Sequence, residues 1–187
     1  MMDEQKEREN AIKKAYTERL TAIEADADLT ILEKQDRIDA QPKKITPYIV
    51  YTNLNRERFN ERSCSVFVYT PYANVDKYGH SKTDYQSELL FEYSAWDNEI
   101  HMTVLETLGS ESQLAFYDFQ NHGMAQLAII NLLKIARKIN VTEIEGNVSS
   151  FDGEGLKKVI YLLSKFGFTF DIQDKKQGLA SFKLKLE

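Results

Sequence analysis

The chain has 187 residues, which suits one domain with room for an appendage. A hydrophobic share of 42% can furnish a core, and a formal net charge of -5 argues against nucleic acid as the main partner, since that partner favours a basic surface. The single cysteine, Cys64, excludes a disulfide within the chain and fits a reducing compartment. Because the charged N-terminus has no apolar run and no stretch reaches the length of a membrane span, we expect a cytoplasmic protein without a membrane partner.

The N-terminal part of the chain predicts two charged helices. The first covers residues 3–25 and places four apolar side chains on one stripe, namely Ile12, Tyr16, Leu20 and Ile23. Thr30-Ile31-Leu32-Glu33 has the form of a capping box and predicts a second helix that ends before Pro42. This helical hairpin forms a predicted extension, residues 1–42, that packs on a main domain of residues 43–187 or joins two copies in a homodimer.

Strands dominate the middle of the chain. Runs of β-branched and aromatic residues predict strands at the end of 45–52 and at 64–70, 87–95, 99–107 and 112–118. Trp96-Asp97-Asn98 predicts a hairpin turn, because Asp and Asn tolerate a positive φ.

The last third predicts helices and strands in alternation. The predicted elements are a helix over 123–139, a strand over 141–148, a helix over 155–166 and strands at 167–172 and 179–186. Gly167 is placed to cap the second of these helices. A strand, a helix and a further strand in succession indicate a parallel crossover. The sequence therefore predicts an α+β fold in which a mixed, mostly antiparallel sheet contains a central parallel β-α-β crossover, preceded by the N-terminal helical hairpin.

A glycine-containing turn begins the helix of residues 123–139. It is Phe119-Gln120-Asn121-His122-Gly123-Met124-Ala125. The N–H groups of a helix's first turn have no partner within the helix and carry partial positive charge, so they favour phosphate. Gly123 lets the backbone approach a ligand closely because it has no Cβ. The turn thus indicates a phosphate site, and the alternative is that Gly123 only begins a helix that packs on a sheet.

The same turn resembles a family motif. Gln120-x-x-Gly123-x-Ala125 is similar to the Gln/Arg-x-x-Gly-x-Gly/Ala signature of the GNAT superfamily of acetyl-CoA-dependent N-acetyltransferases. Tyr117-Asp118-Phe119-Gln120 resembles the family's Pro-x-Tyr-Gln entry without its proline, and residues 162–168 resemble its Tyr-x-x-Leu-Gly-Phe helix end. The chain departs from the family in placing its two early helices before every strand rather than after the first.

The resemblance implies acetyl-CoA as a co-substrate, with no metal. It implies that the turn holds the pyrophosphate through Gln120, Asn121, His122, Gly123, Met124 and Ala125. The backbone of Ala115 and Tyr117 would then pair with the pantetheine arm like an extra strand. The sequence shows no His and Cys spacing typical of a metal site and no Walker-type lysine after the glycine.

The resemblance also implies that an unidentified amine attacks the thioester directly. Such a reaction uses a base for the amine proton and an acid for the leaving thiolate. The candidate bases are Glu145 and Glu106. The family's acid is often a tyrosine four residues before the Gly-Phe, where this chain has Leu163. Tyr161 is the nearby candidate, but it lies two residues earlier and about 200° around the helix, so it should point away.

Two functions stay open at this stage. One is an N-acyltransferase, favoured by the Gly123 turn. The alternative is a non-catalytic module on the same fold that uses the N-terminal helices to bind a partner or a second copy. Leu163 and the helical extension favour the alternative. Glu143 and Glu145 share one face of the strand at 141–148, and this pair suggests that the face opens on a cavity or on solvent, of which we favour solvent. His101 has no partner pattern.

Overall fold

The computed structural model describes residues 2–38, 47–54, 63–71, 83–107, 123–150 and 153–187. The elements in chain order are α1 (Met2–Ala25), β1 (Thr30–Gln35), β2 (Tyr48–Thr52), β3 (Cys64–Tyr69), β4 (Ser87–Ser94), β5 (Glu99–Thr107), α2 (Met124–Lys138), β6 (Glu143–Ser149), α3 (Gly153–Ser164), β7 (Thr169–Asp174) and β8 (Leu179–Lys185). The predicted strand at 112–118 lies outside the described residues.

The strands form one sheet in the order β1-β2-β3-β4-β5-β6-β8-β7. The β1–β2, β2–β3, β6–β8 and β7–β8 pairs are antiparallel, whereas β5 and β6 are parallel. Because α2 lies between β5 and β6 in the chain, these three elements form the parallel crossover. The predicted α+β fold with a mixed, mostly antiparallel sheet is confirmed.

The predicted second N-terminal helix is wrong. Thr30–Gln35 forms β1, which pairs antiparallel with β2. A helix of about ten residues is marginal in water without strong tertiary packing. The edge of β2, by contrast, offers a row of N–H and C=O groups that a strand can satisfy. This pairing competes successfully with the local capping-box pattern, so the N-terminal extension is one helix followed by a strand.

The chain divides into two compact units. The first comprises Met1–Glu57, Ser65–Leu89 and Leu105–Leu132, and the second comprises Arg58–Cys64, Leu90–Val104 and Leu133–Glu187.

In the first unit, α1 packs on the sheet through the stripe that the sequence predicts. Ile12, Tyr16 and Ile23 are buried, and Leu20 is partly buried. Tyr16 and Ile23 belong to one apolar cluster with three side chains of β2 and β3, which are Ile49, Tyr51 and Tyr69. The helix is therefore part of a hydrophobic core rather than a solvated appendage.

The second unit contains α3 and the last three strands, β6, β7 and β8. Ile144 of β6 and Leu163 of α3 are buried in it. The predicted cap of α3 is confirmed, because Gly167 has a φ of 89° and the N–H of Phe168 donates to the carbonyl of Leu163. The predicted turn between β4 and β5 is confirmed as well, with Asn98 at a φ of 57°. In the described part of the chain, no helix has the length and apolar character needed to cross a membrane.

Candidate functional site

The N-terminus of α2 is the described part of the predicted phosphate turn. Gly123 has a φ of 82°, a value that L side chains rarely adopt, and it immediately precedes the helix. Its carbonyl accepts the N–H of Leu127 at 3.1 Å, so Gly123 is the N-cap residue. A Cβ built on Gly123 would meet no heavy atom within 4 Å. The glycine is therefore required by backbone conformation and faces open space at a helix N-terminus.

The first turn of α2 is held firmly in the first unit. The side chain of Met124 is 1% exposed, and Ala128 and Ile129 are fully buried. A ligand could therefore contact only the backbone of Met124. The proposed pyrophosphate site uses backbone N–H groups and requires no more than that. Of the predicted cofactor-binding residues, Gly123, Met124 and Ala125 are described. The others lie outside the described residues, and these are Ala115, Tyr117, Gln120, Asn121 and His122.

In the second unit, β5 and β6 pair over only four residues. The parallel register runs from Glu99 with Glu143 to Met102 with Gly146. Both strands continue beyond this point, β5 to Thr107 and β6 to Ser149. Among the described residues, the β5–β6 ladder thus ends while both strands are still extended.

The beginning of the same ladder is fixed by Asn98. Its carbonyl accepts the N–H of Thr142 at 3.0 Å, and its side-chain amide donates to the carbonyl of Asn140 at 2.5 Å. Asn140 itself has a φ of 57° and lies just after α2, where its N–H donates to the carbonyl of Arg137 at 3.2 Å. The turn before β5 and the turn before β6 are therefore joined, which sets the register of the two strands.

This register brings His101 and Glu145 together. They are opposite each other in the ladder, and Nδ1 of His101 lies 3.5 Å from Oε1 of Glu145. Their side chains are 37% and 45% exposed, so both are within reach of a ligand in solution. The sequence offered no signal for this pair, because the partner of His101 depends on a parallel register between strands more than 40 residues apart.

The other glutamate of β6 has a different environment. Oε1 of Glu143 lies 3.4 Å from Nζ of Lys183, and its side chain is only 15% exposed. Lys183 and Glu145 on the same sheet face are each about half exposed, so this face is open to solvent at Glu145 but largely covered at Glu143. Glu143 forms an ion pair with Lys183, whereas the imidazole of His101 lies beside Glu145.

The remaining predicted catalytic residues are both exposed. Glu106 lies near the end of β5 in the first unit, where its carbonyl accepts the hydroxyl of Ser87 at 3.1 Å. Tyr161 is 69% exposed on α3, and Nζ of Lys165 lies 4.2 Å from its ring centroid. Leu163 is 1% exposed, so the predicted outward direction of Tyr161 relative to Leu163 is confirmed.

The described residues give little support for a cysteine nucleophile or for a metal site. Burial raises the pKa of the Cys64 thiol, which lowers its thiolate fraction and hence its reactivity as a nucleophile. No group of three or more His, Cys, Asp or Glu side chains in the described ranges could hold a metal ion.

Comparisons with known proteins give matches to solved structures. No protein-family model matches the chain, and no curated protein matches it. A Bacillus subtilis acetyltransferase in complex with CoA is 12% identical, with 70% of this chain and 82% of that chain covered and a TM-score of 0.46. Nourseothricin acetyltransferase is 14% identical, with 90% and 93% covered and a TM-score of 0.46. Arabidopsis thaliana Naa50 bound to a bisubstrate analogue is 13% identical, with 65% and 72% covered and a TM-score of 0.45.

These TM-scores are all below 0.5. Among the described strands of this chain, β5 and β6 form a parallel pair joined through α2, and the neighbours at both ends of the sheet are antiparallel. The chain has the mixed α+β fold with a parallel crossover that its sequence predicts.

Proposed function

We propose that the protein is an N-acyltransferase that moves an acetyl group from acetyl-CoA to an amine. The observation that carries the proposal is the N-terminus of α2, where Gly123 has a positive φ and open space beside it. The backbone N–H groups from Asn121 to Ala125 would hold the pyrophosphate, because a helix N-terminus combines unpaired donors with partial positive charge. Gln120 would complete the turn as the motif implies.

The pantetheine arm is proposed to bind as an added strand. The sequence resemblance implies the backbone of Ala115 and Tyr117 as its partner. The early end of the β5–β6 ladder at Met102 and Gly146 supports an extended mode of binding, since both strands continue without pairing to each other. Main-chain hydrogen bonds of this kind give affinity without requiring particular side chains.

The proposed reaction is a direct attack by the amine nitrogen on the thioester carbonyl carbon. The new C–N bond replaces the C–S bond, the amine loses one proton and the leaving thiolate gains one. Glu145 is the preferred base, because His101 beside it can pass the proton to solvent. Glu106 is the second candidate base, and Tyr161, which is 69% exposed, is the candidate acid for the thiolate.

An amine screen tests this proposal. The protein is incubated with acetyl-CoA and a panel of primary amines, thiol release is followed, and acetylated products are identified by mass spectrometry. Glu145→Gln is expected to lower kcat by about 10²-fold or more, the usual contribution of a positioned base. Glu143→Gln is the matched control, because Glu143 lies on the same strand and face but is paired with Lys183.

The control should keep kcat within about twofold. Equal losses in the two variants would assign Glu145 a structural role and leave Glu106→Gln as the test of the other base. Tyr161→Phe tests the acid in the same assay. Absence of any acetylated product across the panel would contradict the proposed activity.

A further inference from the structure

The hairpin turn between β4 and β5 exposes the only tryptophan of the chain. The side chain of Trp96 is 96% exposed, and among the described residues no hydrogen bond or ring contact holds it. The turn itself is fixed, because Oγ of Ser94 donates to Oδ2 of Asp97 at 2.9 Å and the side-chain amide of Asn98 donates to the carbonyl of Asn140. The indole is therefore presented to solvent on an ordered turn, so little conformational entropy opposes its binding to a partner.

The outward side of α3, in the same unit, forms an open groove of about 560 Å³. Leu156 and Leu163 face the core of the unit and are 2% and 1% exposed. The residues of the groove recur three and four positions apart and thus share a different stripe of the helix. They are Lys157, Ile160, Tyr161, Ser164 and Lys165. The lining is mainly apolar, because lysine stems contribute methylene groups beside the isoleucine and the tyrosine ring.

One cation of this groove has no carboxylate partner. Nζ of Lys157 donates to Oε1 of Glu154 at 2.9 Å. Nζ of Lys165 lies 4.2 Å from the centroid of the Tyr161 ring, and no carboxylate among the described residues pairs with it. Asp97 is exposed, and the serine of its turn donates only to Oδ2, which leaves Oδ1 for another donor. The turn thus carries an aromatic ring beside a carboxylate, and the groove carries an apolar floor beside an ammonium group.

We propose that the Trp96 turn of one copy of the chain docks in the α3 groove of a second copy. The indole covers Ile160 and the ring of Tyr161, and Oδ1 of Asp97 pairs with Nζ of Lys165. Trp and Tyr are residue types that dominate the binding energy of protein interfaces. Because Trp96 is 96% exposed, it does not fill the groove of its own chain, and a second copy must supply the indole.

This contact is independent of acyl transfer, because it requires neither acetyl-CoA nor the turn at Gly123. A docked copy covers Tyr161, so the acid role proposed for that residue belongs to the free chain. Two different surfaces meet in the contact, which makes it heterologous and allows it to continue from copy to copy.

The fluorescence of the single tryptophan reports the contact directly, since indole emission moves to shorter wavelength when the ring leaves water. Emission of the full chain is measured at increasing protein concentration, together with its mass in analytical ultracentrifugation. We expect the emission maximum to move to shorter wavelength as the mass rises above that of one chain. The mass of one chain with constant emission from micromolar to millimolar concentration would overturn the proposal and leave the groove to a different partner. Association without an emission shift would overturn it as well, because another surface would then be the interface.

A mixture of two variants locates both halves of the contact. Trp96→Ala keeps the groove but has no tryptophan emission, whereas Lys165→Glu keeps the indole but repels Asp97 of a neighbouring copy. Each variant alone should associate about tenfold more weakly than the unaltered chain. Adding Trp96→Ala to Lys165→Glu should restore the emission shift, because the remaining indole then meets an intact groove.

Two controls make the mixture decisive, and all altered side chains are exposed, so the variants are expected to fold. The double variant Trp96→Ala with Lys165→Glu has neither an indole nor an intact groove, and adding it to Lys165→Glu should produce no shift. Equal shifts from the single and the double variant would contradict the assignment of the groove. Lys158→Glu, on α3 but outside the groove, should leave the association of the otherwise unaltered chain unchanged. A loss equal to that of Lys165→Glu would assign the association to net charge and overturn the proposal.

Discussion

At the scale of single residues, Tyr51 shows how burial and hydrogen bonding act on one side chain. It is 2% exposed, its hydroxyl donates to the carbonyl of Asp84 at 2.9 Å, and it accepts from Nη2 of Arg19 at 2.7 Å. Its ring stacks on that of Phe67 with centroids 4.9 Å apart. Burial raises the pKa of Tyr51 to about 12, although the hydrogen bond from Arg19 acts in the opposite direction.

This raised pKa predicts a loss of stability at high pH. Between the ordinary tyrosine pKa of 10 and about 12, the folded state keeps a proton that the unfolded state has lost, so the free energy of unfolding falls as pH rises through this window. Tyr51→Phe removes the titrating hydroxyl and should make the fall shallower in denaturant titrations at several pH values. Tyr161→Phe is the control, because Tyr161 is 69% exposed. A fall of equal steepness in Tyr51→Phe and the unaltered chain would contradict this assignment.

At the scale of elements, α1 is predicted to contribute directly to stability. Ile23 is 1% exposed and packs in the cluster with Ile49 and Tyr51. Ile23→Ala should lower the free energy of unfolding by about 2–4 kcal/mol, the usual cost of a buried truncation. Thr17→Ala, at an exposed position of the same helix, should change it by less than about 0.5 kcal/mol. Similar small effects in both variants would mean that α1 does not belong to the core in solution.

The β5–β6 ladder predicts a second element-scale effect, at Gly146. A Cβ there would lie 2.7 Å from the carbonyl oxygen of Met102 and would collide with the ring of Phe182. Gly146→Ala should therefore lower the free energy of unfolding by about 1–3 kcal/mol through overpacking.

The double variant Gly146→Ala with Phe182→Leu tests the cause. It should show less destabilisation than the sum of the single effects, because the ring clash is removed while the carbonyl contact stays. Strict additivity in chemical denaturation would contradict the packing explanation.

At the scale of the whole molecule, the sequence predicted what depends on local patterns. The stripe of α1, the strand–turn–strand at Asn98 and the Gly167 cap all follow from residues close together in the chain, and all are observed. What it missed depends on pairing between distant segments. β1 replaces a predicted helix because the edge of β2 is available, and the contact of His101 with Glu145 follows from the parallel register.

The same contrast between local patterns and long-range pairing applies to the candidate site. Gly123 at the beginning of α2 was predicted from the motif, and its positive φ agrees with that motif. The ion pair of Glu143 with Lys183 has no sequence signal, because it depends on the antiparallel register of β6 with β8. Neither the acceptor amine nor homodimer formation can be read from a local pattern, and both stay predictions.

The central claim is that the turn before α2 binds the pyrophosphate of acetyl-CoA, and calorimetric titration with acetyl-CoA tests it most directly. We predict micromolar binding of acetyl-CoA without binding of ATP. Gly123→Glu should abolish binding by placing a carboxylate at the helix N-terminus. A side chain there meets open space but is strained by the positive φ, so circular dichroism must show that the variant still folds. Gly123→Asn, which tolerates a positive φ, controls for backbone strain and should fold normally. No heat of binding at high acetyl-CoA concentration, or unchanged binding in Gly123→Glu, would contradict the claim.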